Sequence, residues 1–207
     1  MKYLIFIACL FPFFSCGNAK EEKVEFSASD SLLFNYITQQ DHSNNPCRKF
    51  NHLKTANDYF QSANSRTKDC PYDSLTNLVA LKEYEYALRL DPEFWPARRN
   101  YARQLFTFGA YEACIEQVNN IISQNGSEIS ADLFVLRGNA FYKLEKYKAA
   151  VVDYEAAIKN LYNPDYVYML KAKAEWKLGN IQKACEDFNR AIKSYPAYEK
   201  EKEFIDC

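Results

Sequence analysis

The 207-residue sequence predicts an all-α array of antiparallel helix pairs. Composition is the first reason. The chain has 16 Tyr and 15 Phe among plentiful Ala, Leu, Lys and Glu, and only five glycines, all isolated. Large side chains on strong helix formers suit interlocking helices better than a β-sandwich. The second reason is an internal repeat. Ala80, Cys114, Ala150 and Ala184 are separated by 34, 36 and 34 residues. Four residues after each stands a bulkier side chain, Tyr84, Val118, Tyr154 or Phe188. Three further on comes Ala87, Ile121, Ala157 or Ala191, a helical spacing. Punctuation is the third reason. Gly109 and Gly179 sit where helices end, and Pro96 sits where a first turn tolerates a missing N–H. Asn125-Gly126 supplies a turn for the two extra residues of the middle interval.

Charge and motifs narrow the function. Lys+Arg number 26 against 27 Asp+Glu, so no bulk electrostatic attraction to nucleic acid or an anionic membrane is expected. No G-x-G or G-x-x-x-x-G-K loop exists, which excludes a Gly-rich phosphate cradle. H-E-x-x-H, C-x-x-C and G-x-S-x-G are absent as well. His42 and His52, the two histidines, lie ten apart without further ligands and are expected on the surface. No cofactor, metal or catalytic constellation is expected, and the chain reads as a non-enzyme.

Residues 1–15 read as a signal peptide. Lys2 precedes the apolar run Leu4 to Phe14, which is broken only by Pro12. Eleven residues are too few to span a bilayer, which takes about 20. They fit the apolar region of a secretory leader. Its end, Phe13-Phe14-Ser15-Cys16-Gly17, resembles a bacterial lipoprotein box. That resemblance implies cleavage before Cys16 and fatty acylation there. Lys20-Glu21-Glu22 resembles the export tag of surface lipoproteins in Bacteroidetes, which implies an outer-membrane location. The competing reading is cleavage after Ala19, giving a soluble secreted or periplasmic protein. Residues 16–49 are then the lipidated Cys with a linker and N-terminal extension.

Beyond that extension, Phe134-x-x-Arg137-Gly138-x-x-Phe141 followed by Ala150-x-x-x-Tyr154 resembles the tetratricopeptide repeat. Tyr168-x-x-Lys171-Ala172 with Ala184-x-x-x-Phe188 and Pro196 gives another unit. The resemblance assigns 50–92 to a degenerate first repeat, and 95–130, 131–164 and 165–196 to further repeats. Residues 197–207 form a C-terminal cap. It implies seven or so helices, about 3.5 repeats, stacked as a right-handed superhelix. In the first repeat Phe50 to Ala63 is the expected first helix, with Asn64 to Asp73 intruding where a tight turn belongs. Gly138 and Ala172 mark close helix crossings, Tyr111 and Tyr147 pack back on the preceding helix, and Ser130 and Asp165 are expected N-caps.

In such arrays the first helix of each pair lines a concave groove. Heptad-like spacing places Arg99, Arg103 and Phe106 there in one unit, Val135, Asn139, Tyr142 and Lys143 in the next, and Met169, Lys173, Trp176 and Lys177 in the last. Five of these eleven are basic and none is acidic, with Asp132 at the edge. A basic, aromatic groove suits an extended peptide with acidic groups or a free carboxylate. Asn139 matches the Asn of the family's carboxylate clamp, but Val135 stands where its Lys belongs.

Seven cysteines complete the reading. With Cys9 in the leader and Cys16 as anchor, five remain. If the last helix ends near Ser194 and the chain doubles back from about Tyr198, Cys185 and Cys207 stand at equal heights, roughly 13–14 Å from the turn at about 1.5 Å per residue. Cys185–Cys207 is the favoured bridge, Cys47–Cys70 the second, and Cys114 a buried free thiol. The function expected is an envelope-anchored interaction scaffold holding a protein or peptide partner. The alternatives are a structural oligomer whose groove is filled by another copy, and a docking arm for a small catalytic N-terminal part.

Overall fold

A computed structural model describes residues 53–70, 74–125, 130–161 and 164–198, together with two short strands. The strands, β1 (Leu4–Ile5) and β2 (Val24–Glu25), pair antiparallel with Leu4 opposite Glu25. The remaining described elements are helices: α1 (Ala56–Asp69), α2 (Ser74–Leu90), α3 (Trp95–Thr107), α4 (Tyr111–Asn125), α5 (Ala131–Lys143), α6 (Tyr147–Asn160), α7 (Asp165–Lys177) and α8 (Ile181–Ser194). The expected all-α class holds. The chain divides into two compact units, Met1–Ala113 and Cys114–Cys207.

The repeated positions become the cores. In the first unit, Ala80, Tyr84 and Ala87 of α2 close on Tyr59 and Ala63 of α1 and Ala97 of α3. In the second unit, Ala150, Tyr154 and Ala157 of α6 pack with Val135 of α5 and Val167 and Ala174 of α7. Ala184, Phe188 and Ala191 of α8 pack with Met169 and Ala172 of α7. Gly138 marks a close crossing. A Cβ placed there would lie 2.8 Å from Cε1 and 3.0 Å from Cδ1 of Tyr154, so only glycine lets α5 and α6 approach this closely.

The first hairpin departs from expectation. Its first helix starts at Ala56 rather than Phe50 and runs on to Asp69, so Asn64 to Asp69 is helix, not an intruding loop. Thr55 fixes the start. Its Oγ1 accepts from the Asp58 N–H and its own N–H donates to the Asp58 carboxylate, both at 3.1 Å. Three side chains hold the later turns. Ser62 and Arg66 donate to the two carboxylate oxygens of Glu83 at 2.9 and 2.8 Å. Asn64 Oδ1 accepts from the Tyr84 hydroxyl at 2.6 Å and from Asn100 Nδ2 at 2.7 Å, tying α1 to α2 and α3.

Caps and turns carry two further corrections. Asp165 is the first helical residue of α7, and Pro164 occupies the N-cap. Ser130 is the N-cap of α5, but its hydroxyl bonds the Asp132 carboxylate instead of the backbone. Gly109 and Gly179 end their helices at φ of 77° and 79°. The equivalent residue after α5 is Glu145, left-handed at φ 58°. All three turns close alike: Ala110, Lys146 and Asn180 donate backbone N–H groups to Leu105, Phe141 and Glu175 at 2.9–3.0 Å. After α8, residues 196–198 form one 3₁₀ turn. Among the described residues no helix is long and apolar enough to cross a membrane.

Candidate partner-binding face

In the second unit α5 and α7 are the first helices of successive hairpins, and they touch. Positions 34 apart therefore correspond: Asn139 with Lys173, Tyr142 with Trp176, and Lys143 with Lys177. Each is placed by the packing beneath it. The buried Tyr154 hydroxyl donates to Asn139 Oδ1 at 2.8 Å, which fixes the amide on α5. Tyr142 meets Tyr147 edge-on with ring centroids 5.3 Å apart, the back-packing the sequence predicts. Trp176 rests on the Met169–Phe188 cluster. Lys143 and Lys177 are exposed, while Lys173 is half-buried and engaged in polar contacts.

The electrostatics link the two helices. Burial pushes the Tyr142 hydroxyl above its ordinary range, and the charge of Lys177 on α7 opposes that rise. A cation of one helix thus stands near the aromatic of the other. The six residues offer three ammonium groups, two aromatic faces and one amide, with no carboxylate among them. Such a surface recognises carboxylates by charge and extended chains by aromatic contact. Asp132 lies near Tyr166, whose hydroxyl burial raises and Asp132 raises further.

Not every predicted groove residue belongs to this face. Val135 and Met169 are buried core residues, because the same heptad positions that point to a groove also point into the hairpin. Arg99, Arg103 and Phe106 lie on α3 in the first unit. Arg103 is exposed, Arg99 is half-buried and Phe106 packs against Tyr111 at 5.4 Å. Both arginines have interaction partners within the fold.

Cysteine states are partly described. Cys70 and Cys185 are each disulfide-bonded, and their partners lie outside the described residues, as do Cys16, Cys47 and Cys207. Cys114 is free and buried, and burial pushes its thiol up to about 12, out of nucleophilic range at neutral pH. His42 and His52 lie outside the described residues. Among the described residues no group of three His, Cys, Asp or Glu is placed to hold a metal.

A feature the sequence reading missed joins these first helices to the second helices. Arg137 on α5 is paired with Asp153 of its own hairpin and donates to Asn119 of the preceding α4 at 2.6 Å. Lys171 on α7 repeats this, reaching Asp187 at 3.1 Å and Glu155 of the preceding α6 at 3.3 Å. The signal was available: Arg137 and Lys171, like Asp153 and Asp187, are 34 residues apart.

Comparison with known proteins agrees with the helical-hairpin fold. Residues 135–199 match the tetratricopeptide repeat family model. No curated protein matches the chain. Among solved structures, a MamA protein is similar at 18% identity and TM-score 0.63, over 72% of this chain and 78% of that one. YrrB, a TPR protein with an unusual peptide-binding site, is similar at 19% identity and TM-score 0.57, over 72% and 79%. The C-terminal part of a TPR protein from Cytophaga hutchinsonii is similar at 16% identity and TM-score 0.55, over 73% and 57%. Residues 135–199 carry tetratricopeptide repeats, and the fold is that of tetratricopeptide-repeat proteins.

Proposed function

We propose that this chain is a non-catalytic interaction scaffold that holds an acidic peptide segment of a protein partner against α5 and α7. The observation carrying the reading is the pairing of Tyr142–Lys143 on α5 with Trp176–Lys177 on α7, each an aromatic beside an exposed lysine. Tetratricopeptide-repeat proteins generally mediate protein–protein contacts, and YrrB is described as having a peptide-binding site. In the same reading Cys16 carries lipid and anchors the scaffold in a bacterial outer membrane, motivated by Ser15-Cys16-Gly17 closing the apolar leader. Cys185–Cys207 is part of the reading too, closing the C-terminal segment over α8.

The test is a pull-down from detergent-solubilised envelopes, comparing wild type with Lys143→Glu, Lys173→Glu and Lys177→Glu combined. Loss of one specific protein from the variant supports the reading. Recovery of the same proteins overturns the face, and self-association alone supports an oligomer instead. Metabolic labelling with an alkyne fatty acid tests the anchor: wild type is marked and Cys16→Ser is not. Equal labelling, or a mature N-terminus at Lys20, contradicts lipidation. Non-reducing peptide mapping tests the bridge, which a free thiol on Cys207 defeats.

A further inference from the structure

The stripe that carries Asn139, Tyr142 and Lys143 on α5 runs back to the start of that helix. Positions 132, 135, 136, 139, 142 and 143 follow the three- and four-residue spacing of one helical face. On α7 the corresponding stripe is 166, 169, 170, 173, 176 and 177. Asp132 therefore corresponds to Tyr166 as Lys143 does to Lys177, on two helices that touch. The two ends of the face carry opposite chemistry. Lys143 and Lys177 are exposed cations beside Tyr142 and Trp176. At the other end stand a carboxylate, Asp132, and a phenol, Tyr166, which is 40% exposed.

Two observations single out that second end. Tyr166 is one of five large hydrophobic side chains exposed among the described residues. The other four lie on second helices or, for Tyr195, at the end of one, so Tyr166 is the one of them that a first helix presents. Burial raises the Tyr166 hydroxyl, and Asp132 and Tyr198 raise it further, which brings a carboxylate and a second ring to its neighbourhood. The Tyr198 ring is itself held by Tyr195, with centroids 4.9 Å apart. A carboxylate beside aromatic rings suits an ammonium or guanidinium, because charge and ring quadrupole attract the same cation. The lysines of this end, Lys159 and Lys193, sit in the last turns of the second helices α6 and α8. Asp132 also complements the N-terminus of α5 and bonds the Ser130 hydroxyl. Those roles explain the acid but not the open ring that corresponds to it on α7.

We propose that Asp132 and Tyr166 form a cation-accepting subsite, so that the face takes an extended segment with a Lys or Arg at one end and an acidic residue about five positions away. The inference rests on the acidic-peptide reading of α5 and α7, and adds to it the partner's second charge and its spacing. Asp132 and Lys143 lie about 16 Å apart along the helix axis at about 1.5 Å per residue. An extended chain covers that distance in about five residues at about 3.3 Å each. A purely acidic segment meets Asp132 as a like charge, whereas a bipolar one matches both ends.

Peptide titrations of the full chain, followed by backbone amide shifts, test this. Three acetylated and amidated hexapeptides are used. One has Lys and Glu at the ends of four alanines, the second has Ala in place of that Lys, and the third has Glu in its place. The Lys–Glu peptide should bind wild type about fivefold more tightly than the Ala–Glu peptide. Asp132→Asn should abolish that advantage and leave Ala–Glu binding unchanged. Asp132→Lys should invert the preference, favouring Glu–Glu over Lys–Glu, and Tyr166→Ala should shrink the advantage of the lysine. The dispersion of the same spectra reports that each variant is folded. Equal binding of Lys–Glu and Ala–Glu by wild type, or an advantage that survives Asp132→Asn, overturns the subsite while Ala–Glu binding upholds the acidic-peptide face. Failure of all three peptides to bind, or Ala–Glu binding untouched by Lys143→Glu with Lys177→Glu, overturns that face and the subsite with it.

Discussion

Arg137 grips Asp153 with two prongs, Nε to Oδ2 at 2.8 Å and Nη2 to Oδ1 at 2.6 Å, across the α5–α6 hairpin. Asp153 is buried and the Arg137 side chain only 18% exposed, so water compensates neither charge well. Asp153→Ala leaves the guanidinium without its counter-ion and should cost about 3 kcal/mol, the range for breaking buried pairs. Glu155, at the exposed end of the neighbouring Lys171 bridge, should cost less than about 1 kcal/mol as Ala. Chemical denaturation of both variants checks this. A smaller loss for Asp153→Ala than for Glu155→Ala contradicts the role given to the pair.

Gly138→Ala sets two effects against each other. Alanine gains up to about 1 kcal/mol of helix propensity over glycine. Its methyl, however, lands 2.8–3.0 Å from ring carbons of Tyr154, a ring buried and tethered through its hydroxyl to Asn139. The ring has nowhere to swing, so net destabilisation of about 1–3 kcal/mol is expected, and more for Gly138→Leu. Lys146→Leu, at the exposed turn, should be nearly neutral. A thermal melt in which Gly138→Ala matches or exceeds wild type contradicts the crossing.

Glu145 is predicted to be improvable. It holds the left-handed turn that glycine holds at 109 and 179. Relief of a strain of about 1–2 kcal/mol outweighs the extra freedom glycine gives the unfolded chain. Glu145→Gly should therefore raise Tm, and Gly179→Ala, whose methyl would meet nothing within 4 Å, should lower it purely through φ. Opposite signs in calorimetry are the expected result; equal signs contradict the turn assignment.

These residues also show how far the sequence could be read. Ala80, Cys114, Ala150 and Ala184 announced the second helices because one small residue recurs at every crossing, and all four are fully buried. Gly138, Gly109 and Gly179 were legible for the same reason: a backbone requirement admits few residue types. Glu145 was not, since nothing local marks a glutamate forced into the left-handed region. The first hairpin was misread because its small crossing residue, Ala63, lies 17 residues before Ala80, whereas Gly138 lies 12 before Ala150. Most of the added length became helix, held by long-range bonds from Asn64 and Arg66 that no window of sequence displays. On the candidate face, spacing alone could not separate exposed Lys143 from buried Met169.

Glu83 supplies a pH signature. Burial raises its carboxyl above the usual 4.5, against the opposing pull of Arg66 and Ser62. The folded state then holds a proton that the unfolded state releases. Its contribution is therefore full below 4.5 and falls as pH rises through the elevated value. Glu83→Gln removes this titration, so the stability of wild type relative to the variant should decline as pH climbs from about 4 through the weakly acidic range. A relative stability that grows with pH over that range contradicts the raised value.

The most direct measurement is a titration of the Trp95→Phe protein, in which Trp176 is the only tryptophan emitter. The titrant is a glutamate-rich peptide with a free C-terminal carboxylate. The account predicts a saturable change in Trp176 emission below about 1 mM peptide, weakened by added salt. The change should vanish when Lys143→Glu, Lys173→Glu and Lys177→Glu are added. An emission that does not move, or one that moves equally in the charge-reversed protein, contradicts α5 and α7 as the partner-binding face.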